Sequence, residues 1–225
     1  DRAKKVSVAV AKVLQKAGVS FGILGVEEKC TGDFARRAGN EMLFQMMAME
    51  NIEVLNSYGV KKIITACPHC LHALKNEYPQ LDGNYQVTHS SEIISQLLKQ
   101  GKIKINSTSE DKITYHDPCY LGRYNQKYQE PREVLQKISQ KYTELDRKQN
   151  ESFCCGAGGA RMWMEETIGK RINIERTEEI LNSSANIVTV NCPFCMTMIE
   201  DGLKEKSKEE DVKVLDLAEL VLKSL

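Results

Sequence analysis

No stretch of this chain is apolar for long enough to cross a bilayer. The apolar runs are short, such as Val60 to Ala66 with two lysines inside, whereas a spanning helix needs about 20 apolar residues. Neither sign of charge prevails. The 31 basic residues are matched by 31 acidic ones, so the global basic field that nucleic acid requires is missing and no nucleic-acid partner is expected. No signal peptide is expected from the residues given: Asp1-Arg2-Ala3-Lys4-Lys5 leads into an amphipathic stretch instead of an apolar h-region. The chain does not start with Met, as expected of a processed or trimmed piece of something longer. What it has is ordinary soluble composition, 41% apolar over 225 residues, enough for one large domain or two modest ones.

Against this plain background the cysteines are ordered. Cys30-Thr31-Gly32 is followed by Cys67-Pro68-His69-Cys70. Later come Cys119, then Cys154-Cys155-Gly156, then Cys192-Pro193-Phe194-Cys195. The interval from Cys30 to Cys67 equals that from Cys155 to Cys192, with 36 residues between in each case, and all eight cysteines fall inside the scheme. Two Cys-x-x-Cys pairs and an adjacent Cys-Cys have the pattern of ligands. A chain of this size does not need disulfide staples, so an intracellular, reducing compartment is expected. Thiolates gathered from separated loops hold zinc or iron–sulfur clusters.

The cysteines are part of a larger repeat. Shifted by 125 positions, Ile63-Ile64-Thr65-Ala66-Cys67-Pro68-His69-Cys70 lies on Val188-Thr189-Val190-Asn191-Cys192-Pro193-Phe194-Cys195. Val13 to Lys16 resembles Val134 to Lys137, and Ser91 to Ile94 resembles Ala218 to Val221. Short β-branched runs predict strands at Phe21 to Val26, Lys61 to Thr65, Tyr85 to Thr88, Ile113 to Tyr115, Ile187 to Val190 and Val212 to Leu215. Helical spacing predicts helices at Val6 to Lys16, Ala35 to Ser57, Ser91 to Lys99, Arg132 to Lys141, Arg161 to Leu181, Phe194 to Lys204 and Leu217 to Lys223. The alternation gives an α/β fold with mainly parallel sheets. Polar Lys102 to Asp111 reads as a linker, dividing the chain into 1–105 and 106–225.

The second set is complete. Cys119, Cys154, Cys155, Cys192 and Cys195 follow strands or a glycine turn. If the strands are parallel neighbours, their carboxyl ends bring these loops together. Five thiols, two of them adjacent, exceed the four ligands of a tetrahedral zinc and suit a multi-iron cluster. Gly156, Gly158 and Gly159 let backbone N–H groups approach sulfur, a flexible helix entry being the plainer use. The first set is depleted: Lys29 stands where Cys154 would be, and the counterpart of Cys119 projects upstream of Asp1. Cys30, Cys67 and Cys70 remain as metal ligands for zinc or a second iron–sulfur cluster, with His69 or Asp33 able to complete the shell; a vestigial, metal-free site is the alternative. Cys67 and Cys192 precede helices, whose dipole should make both thiolate-prone.

Other residues have plain readings. His116 is expected to hold its loop, with ligand, proton-donor and supporting roles as alternatives. His72 and His89 read as structural. Met42 to Met49 reads as core packing, a pliable docking face being the alternative. Arg161 and Arg123 either balance cluster charge or make surface ion pairs. A thiol–disulfide enzyme using Cys67/Cys70 or Cys192/Cys195, and a zinc-binding interaction module, are rival functions.

The motif Cys119-x34-Cys154-Cys155-Gly156-x35-Cys192-x2-Cys195 closely resembles the CCG, or cysteine-rich, domain family. That family includes the catalytic subunit of heterodisulfide reductase and the iron–sulfur subunits of glycolate oxidase and anaerobic glycerol-3-phosphate dehydrogenase. The strings KCTGDFARRAGNE, ITACPHC, HDPCYLGRYN, FCCGAGGARMWMEE and CPFCMTM are similar to the carboxy-terminal part of membrane-associated iron–sulfur oxidoreductases linked to electron-transfer flavoprotein. The resemblance implies two pseudo-symmetric CCG domains. It implies a noncubane or 4Fe–4S cluster on Cys119, Cys154, Cys155, Cys192 and Cys195. It further implies upstream membrane and ferredoxin-like domains, electron flow from reduced flavoprotein toward membrane quinone, and a place at the cytoplasmic face of the membrane. Lys29 and the missing amino-terminal cysteine depart from the full pattern, and with them any heterodisulfide activity that needs two clusters.

Overall fold

The computed structural model describes residues 2–225. Helix α1 (Arg2–Lys16) leads into a loop, and short α2 (Asp33–Arg37) precedes long α3 (Glu41–Ser57). Strand β1 (Lys62–Thr65), α4 (Pro68–His72), β2 (Gln86–His89) and α5 (Ser90–Lys99) complete the first half. The second half runs β3 (Ile113–Tyr115), α6 (Gln129–Ile138), β4 (Tyr142–Thr143), α7 (Ile172–Asn182), β5 (Ile187–Val190), α8 (Pro193–Glu205), β6 (Lys213–Asp216) and α9 (Leu217–Ser224). The fold is α/β, with two small sheets flanked by helices. β1 and β2 pair in parallel; β4-β3-β5-β6 form the other sheet, also parallel throughout. Among the described residues, no helix is long and apolar enough to cross a membrane.

The repeat is legible in detail. β1 and β5 each run into a Cys-Pro, with the proline at the first helical turn, where its missing N–H costs nothing. β2 and β6 each end in a capping box. His89 and Asp216 accept from the backbone of the next helix, while Glu92 and Glu219 return the bond to the cap N–H. One apolar cluster is built from both halves: Ala9, Val13, Ile94 and Leu97 pack with Ile113, Val134, Leu135, Leu217 and Val221. The segment 102–111 is irregular but held, with Ile103 buried and Asn106 bonded through its backbone N–H to Ser224 O at 2.8 Å.

Four expectations are corrected. Phe21 to Val26 forms no strand; Ile23 is 81% exposed and Val26 wholly so, because the run has no sheet edge to join. The helix expected from Ala35 to Ser57 is two helices. Gly39 at φ 86° breaks it, and the Asn40 side chain caps the second by accepting from Leu43 N–H. The helix expected from Arg161 to Leu181 starts only at Ile172, after a 3-10 turn at Arg161–Trp163 and an irregular stretch. The Met-rich face of α3 is not core. Met42, Met46 and Met49 are exposed, and Phe44, Ala48, Ile52 and Leu55 make the buried side.

Candidate metal centre

The carboxyl ends of β3 and β5 lie side by side, since Ile113, Thr114 and Tyr115 pair with Ile187, Val188 and Thr189. The loops that leave them carry Cys119 and Cys192. The first loop is pinned by buried charge. His116 N–H donates to Thr189 O at 2.9 Å. Asp117 receives both Arg132 Nη1 and Nη2 at 2.8 Å, and Arg132 reaches on to Glu144. Asp117 also accepts from Gln149 N–H, and its carbonyl accepts from Ser152 Oγ. One carboxylate thus ties the Cys119 loop to the segment entering Cys154-Cys155. Arg123 clamps the same segment by donating to Ser152 O at 2.6 Å.

The thiols converge, neighbouring sulfurs lying close enough to shift one another's acidity. Cys154 adjoins Cys119 and Cys155, and accepts from the Gly156 N–H at 3.3 Å. Gly156 sits at φ 94°, and a Cβ there would come within 3.3 Å of the Asn173 backbone N, so the turn requires glycine. Cys195 adjoins both Cys155 and Cys192. Cys67, from the other half, adjoins Cys192 and Cys70. The chain Cys119–Cys154–Cys155–Cys195–Cys192–Cys67–Cys70 is therefore continuous and crosses between the two halves. Cys30 stands outside it. It is exposed, and among the described residues its sulfur accepts from Gly32 N–H at 3.5 Å.

The acidity of these thiols follows from who donates to whom. Hydrogen bonds from Cys119 and Cys155, then from Gly156, hold Cys154 far below the ordinary thiol range. Burial works against ionisation of Cys192, but donation by Cys195 and Cys67, and by the backbone N–H groups of Cys195 and Phe194 at the start of α8, outweighs it and holds this thiol well below its ordinary value. Cys119 and Cys155 are pushed up by donating to Cys154, Cys195 by donating to Cys155 and Cys192, and Cys70 by donating to Cys67. The expectation for Cys67 is overturned: donation to Cys192, reinforced by burial, pushes it up in spite of its helix N-terminus.

An aromatic layer, not foreseen in the sequence, closes the seam between the halves. It uses the residues between the paired cysteines. His69 stacks on Tyr120 with centroids 4.0 Å apart, and Phe34 meets Phe194 edge-on at 4.5 Å. His69 is fixed from behind by Asp33, Nδ1 to Oδ2 at 2.7 Å, and Asp33 in turn accepts from Arg37. Trp163 adds its edge to Phe34 and remains 71% exposed. Sequence reasoning chose Arg161 and Arg123 among the arginines. Arg161 makes a half-exposed ion pair with Glu166, whereas Arg132 and Arg176, deep in the second half, hold the cysteine loops.

The donor set fits an iron–sulfur group. Five thiols from Cys119 to Cys195 adjoin, with Cys155, Cys192 and Cys195 buried. One ring nitrogen of His116 and the sulfurs of Cys155 and Cys195 lie within 4.8 Å of one another. Polar capacity beyond what protein atoms use remains at this end of β5: the Asn191 amide, wholly buried beside Cys192, has neither its nitrogen nor its oxygen partnered among the described residues.

The family model described as cysteine-rich domain matches residues 1–75 and 113–200. The chain is 49% identical over its whole length to an EtfAB:quinone oxidoreductase of Syntrophomonas wolfei, and 45% identical to a probable iron-sulfur-binding oxidoreductase, FadF, of Bacillus subtilis. It is 36% identical, over 96% of its length, to one component of the dihydromethanophenazine:CoB--CoM heterodisulfide reductase of Methanosarcina mazei. It spans 32% of the length of each of the first two relatives and 54% of the third. With both halves matched and the cysteines in place, the chain belongs to the CCG, cysteine-rich domain family.

Proposed function

We propose that this chain is the iron–sulfur electron-transfer module of an oxidoreductase. Cys119, Cys154, Cys155, Cys192 and Cys195 hold a cluster of the noncubane or 4Fe–4S type, which supplies one-electron redox chemistry when bound. The observation that carries this reading is the unbroken run of sulfur contacts from Cys119 to Cys195 at the ends of β3 and β5. The protein contributes preorganised thiolates at Cys154 and Cys192, backbone N–H donors to sulfur and an aromatic cover against water, which together set a potential. The halves 1–105 and 106–225 act as two lobes about this centre. Cys67 and Cys70, which adjoin Cys192, and exposed Cys30 are the first lobe's candidate ligands for a zinc or a second iron–sulfur cluster. By similarity to the relatives, the electron donor is a reduced electron-transfer flavoprotein and the acceptor a membrane quinone. The remaining two-thirds of such a protein would supply the membrane and ferredoxin-like parts at the cytoplasmic face.

The test is iron and acid-labile sulfide per chain, measured on protein prepared without air. Several irons per chain are expected, and Cys154→Ala or Cys192→Ala should lose most of them; unchanged iron in both variants sinks the assignment. A second reading, a disulfide-reducing dithiol, draws on the contact between Cys67 and thiolate-prone Cys192 across the seam. Metal-free protein that still turns over a disulfide substrate would favour it.

A further inference from the structure

We propose that His116 is a hydrogen-bond donor to a sulfur of the metal centre and not one of its ligands. This rests on the iron–sulfur reading above and adds to it a residue that fixes the redox level. His116 is 1% exposed, and one of its ring nitrogens lies within 4.8 Å of both Cys155 and Cys195, which is the placement of a metal ligand. Its other connection decides against ligation. Nδ1 accepts from Arg176 Nε at 3.0 Å. A guanidinium only donates, so the Nδ1 lone pair is engaged and cannot bind metal.

Arg176 cannot turn away. It is fully buried, and its Nη1 is held by Glu179 Oε2 at 2.7 Å and Arg147 O at 3.0 Å. A proton on Nδ1 would face the Arg176 N–H, so the single ring proton sits on Nε2. With Nδ1 taken by Arg176, the nitrogen we assign to the sulfurs is Nε2, which carries hydrogen and presents N–H, not a lone pair. A donor aimed at cysteinyl or inorganic sulfur stabilises the more negative, reduced state of a cluster and raises its potential. Ligating histidines show the opposite arrangement, with the far nitrogen giving its proton to a carboxylate or carbonyl. In this molecule the far nitrogen receives one.

The experiment compares iron-loaded wild type with His116→Asn and His116→Gln. The Asn side-chain oxygen can take over the Nδ1 role and keep Arg176 partnered while removing the Nε2 donor. The Gln amide can replace the donor. Expected results are iron per chain equal to wild type in both variants, a potential shifted to a more negative value in His116→Asn, and recovery toward wild type in His116→Gln. In wild type, the reduced cluster should show an exchangeable-proton coupling by electron–nuclear double resonance that disappears in deuterium oxide and is absent in His116→Asn. Loss of iron in both variants, or a strong nitrogen coupling in wild type that both abolish, would make His116 a ligand and overturn the proposal. An unchanged potential and proton coupling in His116→Asn would make it merely structural and overturn it equally. If wild type itself binds no iron, the functional reading fails first, and separately.

Discussion

The two halves build the same strand, Cys-Pro turn and helix, and differ in what surrounds it. In the second half, β5 has a neighbour on each side, β3 and β6. The extra strand delivers Cys119, and the buried Arg132–Asp117 pair locks its loop. In the first half, β1 pairs only with β2 among the described residues. Both halves wrap a cysteine in a turn whose residue two positions on donates its N–H to sulfur, with a glycine at positive φ. In the second half that cysteine is Cys154; in the first it is Cys30. By that match Thr31 stands where Cys155 does, and Lys29, which the interval put in the place of Cys154, lies one position earlier and pairs with Glu50. The consequence is that Cys67 and Cys70 are drawn into the sulfur chain of the other half while Cys30 is left exposed. Thiol count alone does not make a centre; the strand that carries the fifth thiol also carries the charges that bury the site.

The largest expected effect comes from testing that inequality directly. Cys192→Ala should abolish most iron binding, while Cys30→Ala should leave the iron of the second half in place, both measured as iron and sulfide per chain. Equal losses from the two substitutions would mean that the halves form one centre of equal parts.

Next in size is the contrast between the ion pairs. Asp117→Ala removes the buried partner of Arg132 and leaves it only the part-buried Glu144, so the cost should exceed that of an exposed pair and stay below that of stranding a buried charge, about 3–5 kcal/mol. Asp117 also accepts from Gln149 N–H, so the Cys154 segment should loosen along with the Cys119 loop. Glu50→Ala removes an ion pair whose side chains are about half exposed, worth about 0–1 kcal/mol. Urea unfolding of the two variants should separate them clearly; similar losses would show that the first half is as tightly bound by charge as the second.

The repeat, the parallel α/β class and the cysteine loops could be read from the chain, because each has a local signature: β-branched runs, Cys-Pro turns, matching intervals. What escaped was non-local. Arg176 meets His116 across 60 positions and Arg132 meets Asp117 across 15, and neither arginine stands in a motif. Phe34, His69 and Phe194 come from the first turns of three helices and Tyr120 from the Cys119 loop, and they form a layer only when the halves close. Phe21 to Val26 has strand composition but no edge to pair with. Met42, Met46 and Met49 have core composition, yet the opposite face of α3 has Phe44, Ala48, Ile52 and Leu55 to bury, and one helix cannot turn both faces to the same core. The break in the predicted helix at Gly39-Asn40 was locally visible, as a glycine followed by a good cap, and was outweighed by the apolar run around it.

The helix caps give the finest comparison, because the repeat places chemically opposite residues at one position. His89 caps α5 and Asp216 caps α9, both buried. Burial lowers His89 to about 4. Burial also raises Asp216 to about 7, against the pull of its bond from Ala218 N–H. Ordinary values in an unfolded chain are about 6.5 and 3.9. Between pH 4 and 6.5 unfolding therefore takes up a proton at His89, and stability rises with pH. Over nearly the same window unfolding releases a proton from Asp216, and stability falls with pH. Each slope is at most about 1.4 kcal/mol per pH unit, and their signs oppose, so these two sites leave wild type nearly flat there. Asparagine at either position keeps a capping acceptor and removes the titration. Relative to wild type, Asp216→Asn should gain stability steadily from pH 4 to 7, and His89→Asn should gain it as pH falls from 6.5 to 4. Urea midpoints at half-unit pH steps would show the two trends diverging in opposite directions; parallel trends would mean that the caps do not titrate as their burial requires.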